Sequence, residues 1–471
     1  MVKVADPNMF ESFSFEGIWS EKDSFEDIKI GKLSYEPTTG FVLDLIGVTD
    51  EQFEIEKKFD VFYGKKEKNE IVTLHDCSIQ FTSSAINKVS IIANKMYIGN
   101  KPVQPNYLCS IKKVSFSFAM LNKWMNVDIF DSGFDDEGNY YLKRKKVEIL
   151  REYVSAIGAY IKEDFTMLLR DNSYSTNIMV EKFFTLEYEE NQTLEIIRDH
   201  IYKISQLFYF LFKVNVPIKF IEFQIEEEPL PKGFPKSKFR FYYQQNNITI
   251  GNKKSERLIK YDHVADKLGL ILEEWFNSYN QIETIVQGYV GDFQENSFLE
   301  TQFLNACRNI EIYHRVFIEE KKTISEEIED TRNLLLTNLE GKPEIIKKYF
   351  VDRINHTEEG TLSVRIKETI NYIPNGVLRE ILTFKNKNLS DSKKKFQRAC
   401  VQTRNYLTHG DQDKEKYPCL LENLNMMLAI EFLRFLTEFF VLGKVGIDLF
   451  NVFNSDELRS RYSLLYNYDF S

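Results

Sequence analysis

The sequence predicts an α+β protein of several domains, in which a β-rich, sandwich-like or barrel-like half is followed by an all-α bundle. Three observations support this prediction. A chain of 471 residues is too long for one ordinary hydrophobic core. Short runs rich in β-branched and aromatic residues fill the first half, whereas apolar residues recur every three or four positions from about residue 296 onward. Hydrophobic residues make up 43% of the chain, enough for large cores.

Charge and cysteine content argue against several classes of protein. The formal net charge is −10, and an acidic chain is not a general nucleic-acid coat, because non-specific binding depends on neutralising phosphates. A role with RNA therefore requires a local basic surface. Five scattered cysteines without a C-x-x-C pair indicate a reducing compartment and argue against a disulfide framework or a structural zinc site. We expect a cytoplasmic protein without membrane association, metal or cofactor.

Strand signals follow one another through the first half. Residues 28–35 alternate, residues 37–40 indicate a turn, and residues 41–46 continue as a strand, which predicts a hairpin. Residues 193–213 have helical periodicity instead. The other predicted strands share β-branched and aromatic composition and cover residues 71–82, 89–97, 111–118, 165–169, 180–188, 218–225 and 239–244.

Neither of two polar clusters in this half predicts a catalytic site. His75, Asp76 and Cys77 form a triplet of metal-ligand types, but successive strand residues point to opposite faces, so a structural role is favoured. Tyr261-Asp262-His263 is typical of the start of a helix. We assign residues 1–255 to a regulatory domain. A linking segment, residues 256–295, carries a helix predicted at 266–289.

Residues 296–471 read as a helical domain. Its first helix, with Asn296 or Ser297 as the cap, carries an apolar stripe that includes Phe303, Cys307 and His314. The remaining predicted helices cover residues 324–338, 343–350, 362–372, 376–384, 392–409, 420–442, 447–453 and 456–466.

The helix predicted at 392–409 ends in the segment R-N-Y-L-T-H, followed by Gly410 as a C-cap. At about 100° per residue, one face carries Phe396, Cys400, Thr403 and Leu407 and must be buried. The opposite face carries Arg398, Gln402, Asn405 and His409, and the long side chain of Arg404 can reach it.

Positive charge surrounds this polar face. Residues 385–409 contain seven lysines or arginines and a single acid, Asp391, a formal charge of +6 in an acidic chain. The residue types suit RNA cleavage, in which the 2′-hydroxyl loses a proton as it attacks the phosphate and the leaving 5′ oxygen gains one. A histidine can transfer these protons, and an arginine can stabilise the charge that develops on the phosphate.

The segment at 404–409 resembles the R-x4-H signature of HEPN domains, a helical family best known for metal-independent ribonucleases. Residues 303–315 are similar to the first HEPN helix of ApeA-type proteins, and residues 15–19 with the following hairpin resemble their N-terminal domain. The resemblance implies an HEPN helical bundle acting in abortive anti-phage defence, with host RNA as the target and tRNA as one candidate. It also implies a homodimer that joins two motifs in one cleft, and an N-terminal domain that senses a phage-derived trigger or holds the nuclease inactive.

On this interpretation, His409 is the general acid and base, Arg404 stabilises the phosphate, and Asn405 orients His409 or the substrate. The residues predicted to bind RNA are Arg398, Gln402, Lys393, Lys394, Lys395 and Glu311.

Simpler interpretations remain open at this stage. A single R-x4-H pattern occurs by chance, and a histidine at a helix C-terminus also interacts favourably with the helix dipole. His314 lies on the apolar stripe, which favours a buried structural histidine. The alternative function is a non-catalytic HEPN module for dimerisation or for nucleotide or RNA binding.

Overall fold

The computed structural model describes residues 7–47, 58–66, 70–83, 87–125, 129–145, 150–172, 175–225, 237–245, 259–294, 297–319, 326–355, 361–381, 388–410 and 413–462. The chain divides into two compact units, Met1–Asn277 and Ser278–Ser471, which are described separately.

Six antiparallel strands of the first unit close into a barrel: β1 (Phe13–Ser20), β2 (Lys29–Glu36), β3 (Gly40–Ile46), β4 (Lys58–Lys65), β5 (Ile71–Ser83) and β6 (Lys88–Ala93). Pairing runs from β1 through β2, β3, β6, β5 and β4 and returns to β1. Leu33, Leu43 and Ile91 are in register across three strands and are fully buried. Buried and more exposed residues alternate along these strands, because every second side chain faces the interior of the barrel.

The seam between β1 and β4 depends on a glycine. Trp19 pairs with Gly64, and a Cβ atom on Gly64 would overlap the Trp19 indole. The Trp19 Nε1 donates a hydrogen bond to the Gly31 carbonyl at 3.1 Å, so the polar atom of this buried ring is satisfied. The barrel therefore closes around a tryptophan at a position where only glycine leaves room.

An outer sheet extends from the long strand β5. The remaining strands are β7 (Lys95–Gly99), β8 (Ile111–Phe118), β9 (Phe130–Phe134), β10 (Tyr140–Arg144), β11 (Arg151–Val154), β12 (Ala159–Asn172), β13 (Ser175–Gln192), β14 (Ile218–Ile225) and β15 (Lys238–Tyr243). β5 also pairs with β7, and the order continues as β15, β14, β8, β13, β12 and β11, while β9 and β10 form a separate hairpin. The β-rich, barrel-like prediction for the N-terminal half is confirmed.

One predicted strand is wrong. Residues 89–97 form two strands, β6 and β7, which are separated at Asn94. Ala93 pairs with β3, whereas Lys95 pairs with β5 and β15, so the chain changes partners at this point. His75 is buried against Tyr97, while Asp76 has a φ of 57° and forms a 3.1 Å ion pair with Lys95. His75 and Asp76 therefore do not converge, as the sequence indicated.

Hydrogen bonds between distant parts of the sequence complete this unit. The Tyr35 hydroxyl donates to the Tyr243 carbonyl at 3.0 Å, across 208 positions of sequence. The Gln245 Nε2 donates to the Met9 carbonyl at 3.3 Å, across 236 positions. The beginning of the chain is thus joined to the end of the last strand and the residues just after it.

Two helices accompany the outer sheet, α1 (Leu121–Trp124) and α2 (Leu194–Phe212). The Thr193 hydroxyl caps α2 by accepting a hydrogen bond from the Ile196 N–H at 3.3 Å. Phe208 of α2 packs against Phe118 and Phe184 of the sheet. The periodicity that predicted this helix therefore marks the face that packs on the sheet.

His200 on α2 makes the stability of this unit depend on pH. Its Nδ1 lies 3.0 Å from the Tyr188 hydroxyl, and burial lowers the His200 pKa to about 4. The unfolded chain, with a pKa near 6.5, takes up the proton first as the pH falls. The contribution of neutral His200 to the free energy of unfolding is therefore complete above about pH 6.5 and is lost as the pH falls towards 4.

We expect His200→Gln to remove about 2 kcal/mol from the difference in unfolding free energy between pH 7.5 and pH 5. Trp19, Trp124 and Trp275 all belong to this unit, so tryptophan fluorescence in urea reports its unfolding. His409→Gln, in the other unit, is the control and should keep the original pH dependence. Identical pH dependence in the His200 variant and the unchanged protein would contradict the prediction.

The second unit is helical. Its helices are α3 (Leu268–Gln294, which begins in the first unit), α4 (Leu299–Tyr313), α5 (Glu326–Asn338), α6 (Glu344–Asn355), α7 (Leu362–Tyr372), α8 (Asn375–Ile381), α9 (Leu389–His409), α10 (Asn423–Lys444), α11 (Leu449–Val452) and α12 (Ser455–Arg461). A π-helical turn, His314–Ile318, extends α4. None of the described helices is both long and apolar enough to span a membrane.

The helices predicted from periodicity are present, and all except α7 have shifted ends. The predicted cap of the first helix is wrong: α4 begins at Leu299 after Phe298, which makes no side-chain capping bond. The Ser297 carbonyl instead accepts a hydrogen bond from the Gln302 side chain at 2.9 Å, and Asn296 lies outside the described residues. The predicted start at Ile324 and the predicted ends at Phe384 and Tyr466 also lie outside them.

A buried ionic cluster links α3, α10 and the end of α12. Glu438 accepts hydrogen bonds from the hydroxyls of Tyr289 and Tyr462, at 2.8 and 2.7 Å, and from Arg461 at 3.3 Å. The Glu438 and Arg461 side chains are both 0% exposed. The carboxylate and the guanidinium thus satisfy each other inside the apolar core.

Candidate functional site

The candidate functional site lies on the last turns of α9. The Asn388 side chain begins this helix by accepting a hydrogen bond from the Ser390 N–H at 3.0 Å. Gly410 ends it with a φ of 61°, which favours glycine, and its N–H bonds to the Tyr406 carbonyl. His409 therefore occupies the final helical position, where the following chain turns away.

The helix has the buried and exposed faces that the sequence predicted. Phe396, Cys400 and Thr403 are buried, and Phe396 packs edge-on against Phe432 of α10, with 4.9 Å between ring centroids. Leu407, which was predicted to be buried with them, is only partly buried, because it lies in the last turn of the helix. Arg398 and His409 are exposed, and Gln402 and Asn405 are partly exposed. The residues that carry possible chemistry are thus accessible on a helix held firmly by its other face.

Arg404 is paired with an acid from a neighbouring helix. Its Nε lies 3.6 Å from Glu311 Oε1 on α4, and the two side chains are 32% and 21% exposed. Below this pair, Cys307 and Cys400 lie one turn earlier on the same two helices and are completely buried. Burial raises the pKa of both thiols, and each cysteine therefore stays protonated as a core residue. The structure brings Glu311 and Arg404 together.

The His409 imidazole is accessible and uncommitted. Within the described residues, neither the Arg404 nor the Asn405 side chain is hydrogen-bonded to it. An exposed histidine whose ring nitrogens are not used by the protein can exchange protons with a bound molecule. A cation held one and a half turns away can stabilise negative charge on that molecule.

The cations predicted to bind substrate divide into two groups. Lys394, Lys395 and Arg398 are exposed on α9. Lys393 is partly buried, which lowers its pKa, and its Nζ donates to the side chains of Asn371 and Asn375 at 3.4 and 2.9 Å. Lys393 thus links α9 to the end of α7 and the start of α8. Lys385 and Lys387 lie outside the described residues.

Gln402 also contacts its own domain. Its Oε1 accepts a hydrogen bond from the Cys419 N–H at 2.8 Å, and the neighbouring Thr403 hydroxyl accepts one from the Leu421 N–H at 2.8 Å. These bonds fix the segment 413–422, which precedes α10, against α9. Its Tyr417 ring lies 5.6 Å from the Tyr406 ring, centroid to centroid.

Tyr406 and Tyr417 were missed as possible site residues. The available signal was the position of Tyr406 inside the R-N-Y-L-T-H segment, one helical turn before His409. Tyr417 carries no comparable local signal, since its position depends on how the segment after α9 folds back.

His314 has the structural role that its position on the apolar stripe favoured. It is 1% exposed, and its Nε2 lies 2.7 Å from Glu368 Oε2 on α7. Nearby, Arg365 of α7 pairs with Glu319 at 3.3 Å. These contacts attach α7 to the π-helical turn, where the extra residue per turn reorients the chain. In the described part of the chain, no group of three or more His, Cys, Asp or Glu side chains is arranged to hold a metal ion.

Each of the two units matches the model of a known protein family. Residues 14–275 match the family model described as ApeA N-terminal domain 1, and residues 304–449 match the model described as Apea-like HEPN. The second match contains both Glu311 on α4 and the whole of α9. No curated protein and no solved structure matches the chain.

Proposed function

The chain belongs to the ApeA family, whose N-terminal domain it matches over more than half its length, and on that premise we propose that it is an endoribonuclease of the HEPN type. The observation that supports this proposal most strongly is the arrangement of side chains at the end of α9. An exposed histidine, His409, ends the helix on which Arg404, five positions earlier, is paired with Glu311.

The proposed reaction is transfer of a phosphodiester within RNA. A base removes the proton of a 2′-hydroxyl, whose oxygen attacks the adjacent phosphorus, while the bond to the 5′ oxygen breaks and that oxygen receives a proton. The products are a 2′,3′-cyclic phosphate and a 5′-hydroxyl. His409 transfers the protons, Arg404 stabilises the phosphorane-like charge, and Asn405 contacts the imidazole or the substrate.

The two proton transfers favour a dimer. Each chain contributes one His409, whereas the attack and the departure of the leaving group take place on opposite sides of the phosphorus. A twofold-symmetric pair of chains would supply two histidines and two arginines to one cleft. We therefore propose that the active form is a homodimer that joins two α9 termini.

The surface around His409 supports RNA as the substrate. Among residues 388–410, five lysines or arginines stand against the single acid Asp391, in a chain whose net charge is −10. Lys394, Lys395 and Arg398 are exposed on that helix and are suited to phosphate groups. Family membership supports a role in anti-phage defence, with host RNA, tRNA included, as the target and a phage-derived trigger acting on the N-terminal domain.

The test of this proposal is cleavage of end-labelled RNA by the purified full-length chain. We expect fragments that end in 2′,3′-cyclic phosphate, and the same rate in EDTA, because histidine rather than a metal ion transfers the protons. Expression together with phage genes tests the trigger, read out as host RNA loss and growth arrest. Absence of cleavage under all these conditions would favour a non-catalytic HEPN module.

Glu311→Gln is expected to lower the cleavage rate by about tenfold, because Arg404 loses the charge that positions it. The same substitution at Glu300, in the first turn of α4, is the matched control. Rates are compared at saturating RNA, so that weaker binding does not mimic slower chemistry. Unchanged cleavage in Glu311→Gln would show that the ion pair does not position Arg404.

A further inference from the structure

A pair of tyrosines lies next to His409. Tyr406 precedes His409 by three positions, so the two side chains are neighbours on the surface of α9. The Tyr406 and Tyr417 rings are 5.6 Å apart at an interplanar angle of 71°. Both side chains are partly exposed. In such an edge-on pair, each ring keeps at least one π-face that the other does not cover.

The segment that carries Tyr417 is fixed on both sides of the ring. Before it, the Asp413 side chain caps the turn Lys414–Lys416 by accepting from the Glu415 N–H at 3.1 Å. The Tyr417 N–H then bonds to the Lys414 carbonyl at 3.0 Å. After it, Cys419 and Leu421 bond to α9 side chains. The aromatic pair is thus organised before any ligand arrives, which limits the entropy lost on binding.

Two exposed lysines flank the pair. Lys414 and Lys416 each have side chains 61% exposed, and their carboxylate partners, Glu422 and Asp413, are at least half exposed. Ion pairs this exposed to water are weak and exchange readily for other anions. Segment 413–422 carries these two lysines together with three acids, Asp413, Glu415 and Glu422. The partly exposed aromatic rings next to His409 are therefore the feature that suits single-stranded nucleic acid.

We propose that Tyr406 and Tyr417 form a base platform, on which an unpaired RNA base stacks beside the scissile phosphate. This inference rests on the proposed function and specifies its substrate as single-stranded RNA. In an A-form duplex the base faces are covered by their neighbours, so only an unstacked base can lie on the two rings. Lys414 and Lys416 then contact the phosphates that flank this base.

The test separates binding from cleavage. Binding of a fluorescein-labelled single-stranded RNA and of the same RNA annealed to its complement is measured by anisotropy on the full-length His409→Ala chain. In that background, Tyr406→Leu and Tyr417→Leu are each expected to weaken single-strand binding by about tenfold, because stacking is lost. Duplex binding should stay unchanged, and Tyr417→Trp should retain single-strand binding. Tyr372→Leu, an exposed tyrosine on α7, is the control and should bind as the parent does.

A tyrosine pair that only packs the segment 413–422 gives different results. Leucine variants that bind single strands as well as the parent, or that lose single-strand and duplex binding equally, would overturn the platform. A measurement without tyrosine substitution guards against misfolded variants: RNA containing 4-thiouridine is photocrosslinked to the His409→Ala chain and mapped by mass spectrometry. Crosslinks at Tyr406 or Tyr417 support the proposal, and crosslinks confined to other regions overturn it.

The two proposals fail separately. If a chain that does not cleave RNA binds single strands through the two tyrosines, the base platform is supported and the nuclease proposal is contradicted. If the chain cleaves RNA and neither leucine substitution changes the rate, the nuclease proposal is supported and the base platform is contradicted.

Discussion

His409→Ala is expected to reduce RNA cleavage by at least about a hundredfold, the effect of removing a general acid or base. The side chain is exposed and makes no hydrogen bond within the described residues, so its removal should leave the fold unchanged. Cleavage of labelled RNA is measured together with the thermal unfolding of both proteins. A variant that unfolds normally and still cleaves at the original rate would show that His409 is not catalytic.

Arg404→Ala is measured in the same assay and should also lower the rate of RNA cleavage by about a hundredfold. Arg404→Lys should keep only part of the original rate. Lysine keeps the charge, but it cannot reproduce the planar fork that pairs with Glu311 and a phosphate. Lys367→Ala, an exposed cation on α7, is the matched control for a general loss of positive charge. Equal losses in Arg404→Ala and Lys367→Ala would point to non-specific electrostatics.

The second large effect is on stability. Glu438→Leu is expected to lower the free energy of unfolding of the helical unit by about 3–5 kcal/mol, because Arg461 then remains charged and buried without its carboxylate. Circular dichroism at 222 nm in urea measures the loss.

A double variant tests the mechanism. Glu438→Leu combined with Arg461→Met removes both charges and should recover more than half of the lost stability. Recovery should stay incomplete, because the hydroxyls of Tyr289 and Tyr462 lose their shared acceptor. A double variant as unstable as the sum of the two single variants would show that the ion pair itself is not what the core requires.

Local periodicity predicted the fold class because most elements in both halves bury one face. Strand β8 and helix α7 were predicted at their observed bounds, since each has a regular apolar face. Strands β9 and β10 were missed, because they form an exposed hairpin whose residues do not alternate by burial. Closure of the barrel could not be predicted, since it requires β1 to pair with β4 from outside the hairpin order.

At the site, sequence reasoning located the helix faces but not the partners from other elements. His409 and Arg404 share one helix, so their relation follows from the helical repeat. The ion pair of Arg404 with Glu311 depends on how α4 and α9 pack, and the sequence placed Glu311 only among the residues predicted to bind RNA. The contacts of Gln402 and Lys393 within the domain depend on neighbouring segments, and a helical wheel shows only an outward direction for Gln402.

The bonds of Tyr35 with Tyr243 and of Gln245 with Met9 have a consequence for synthesis on the ribosome. Translation at about 5–20 residues per second needs roughly 10–50 s to reach residue 245. Until then β7 lacks its neighbour β15, and its unpaired edge is exposed to other nascent chains. The helical unit, whose contacts are more local, can fold quickly after it emerges. Yield in a host cell should thus depend on how well chaperones protect the first 245 residues during translation.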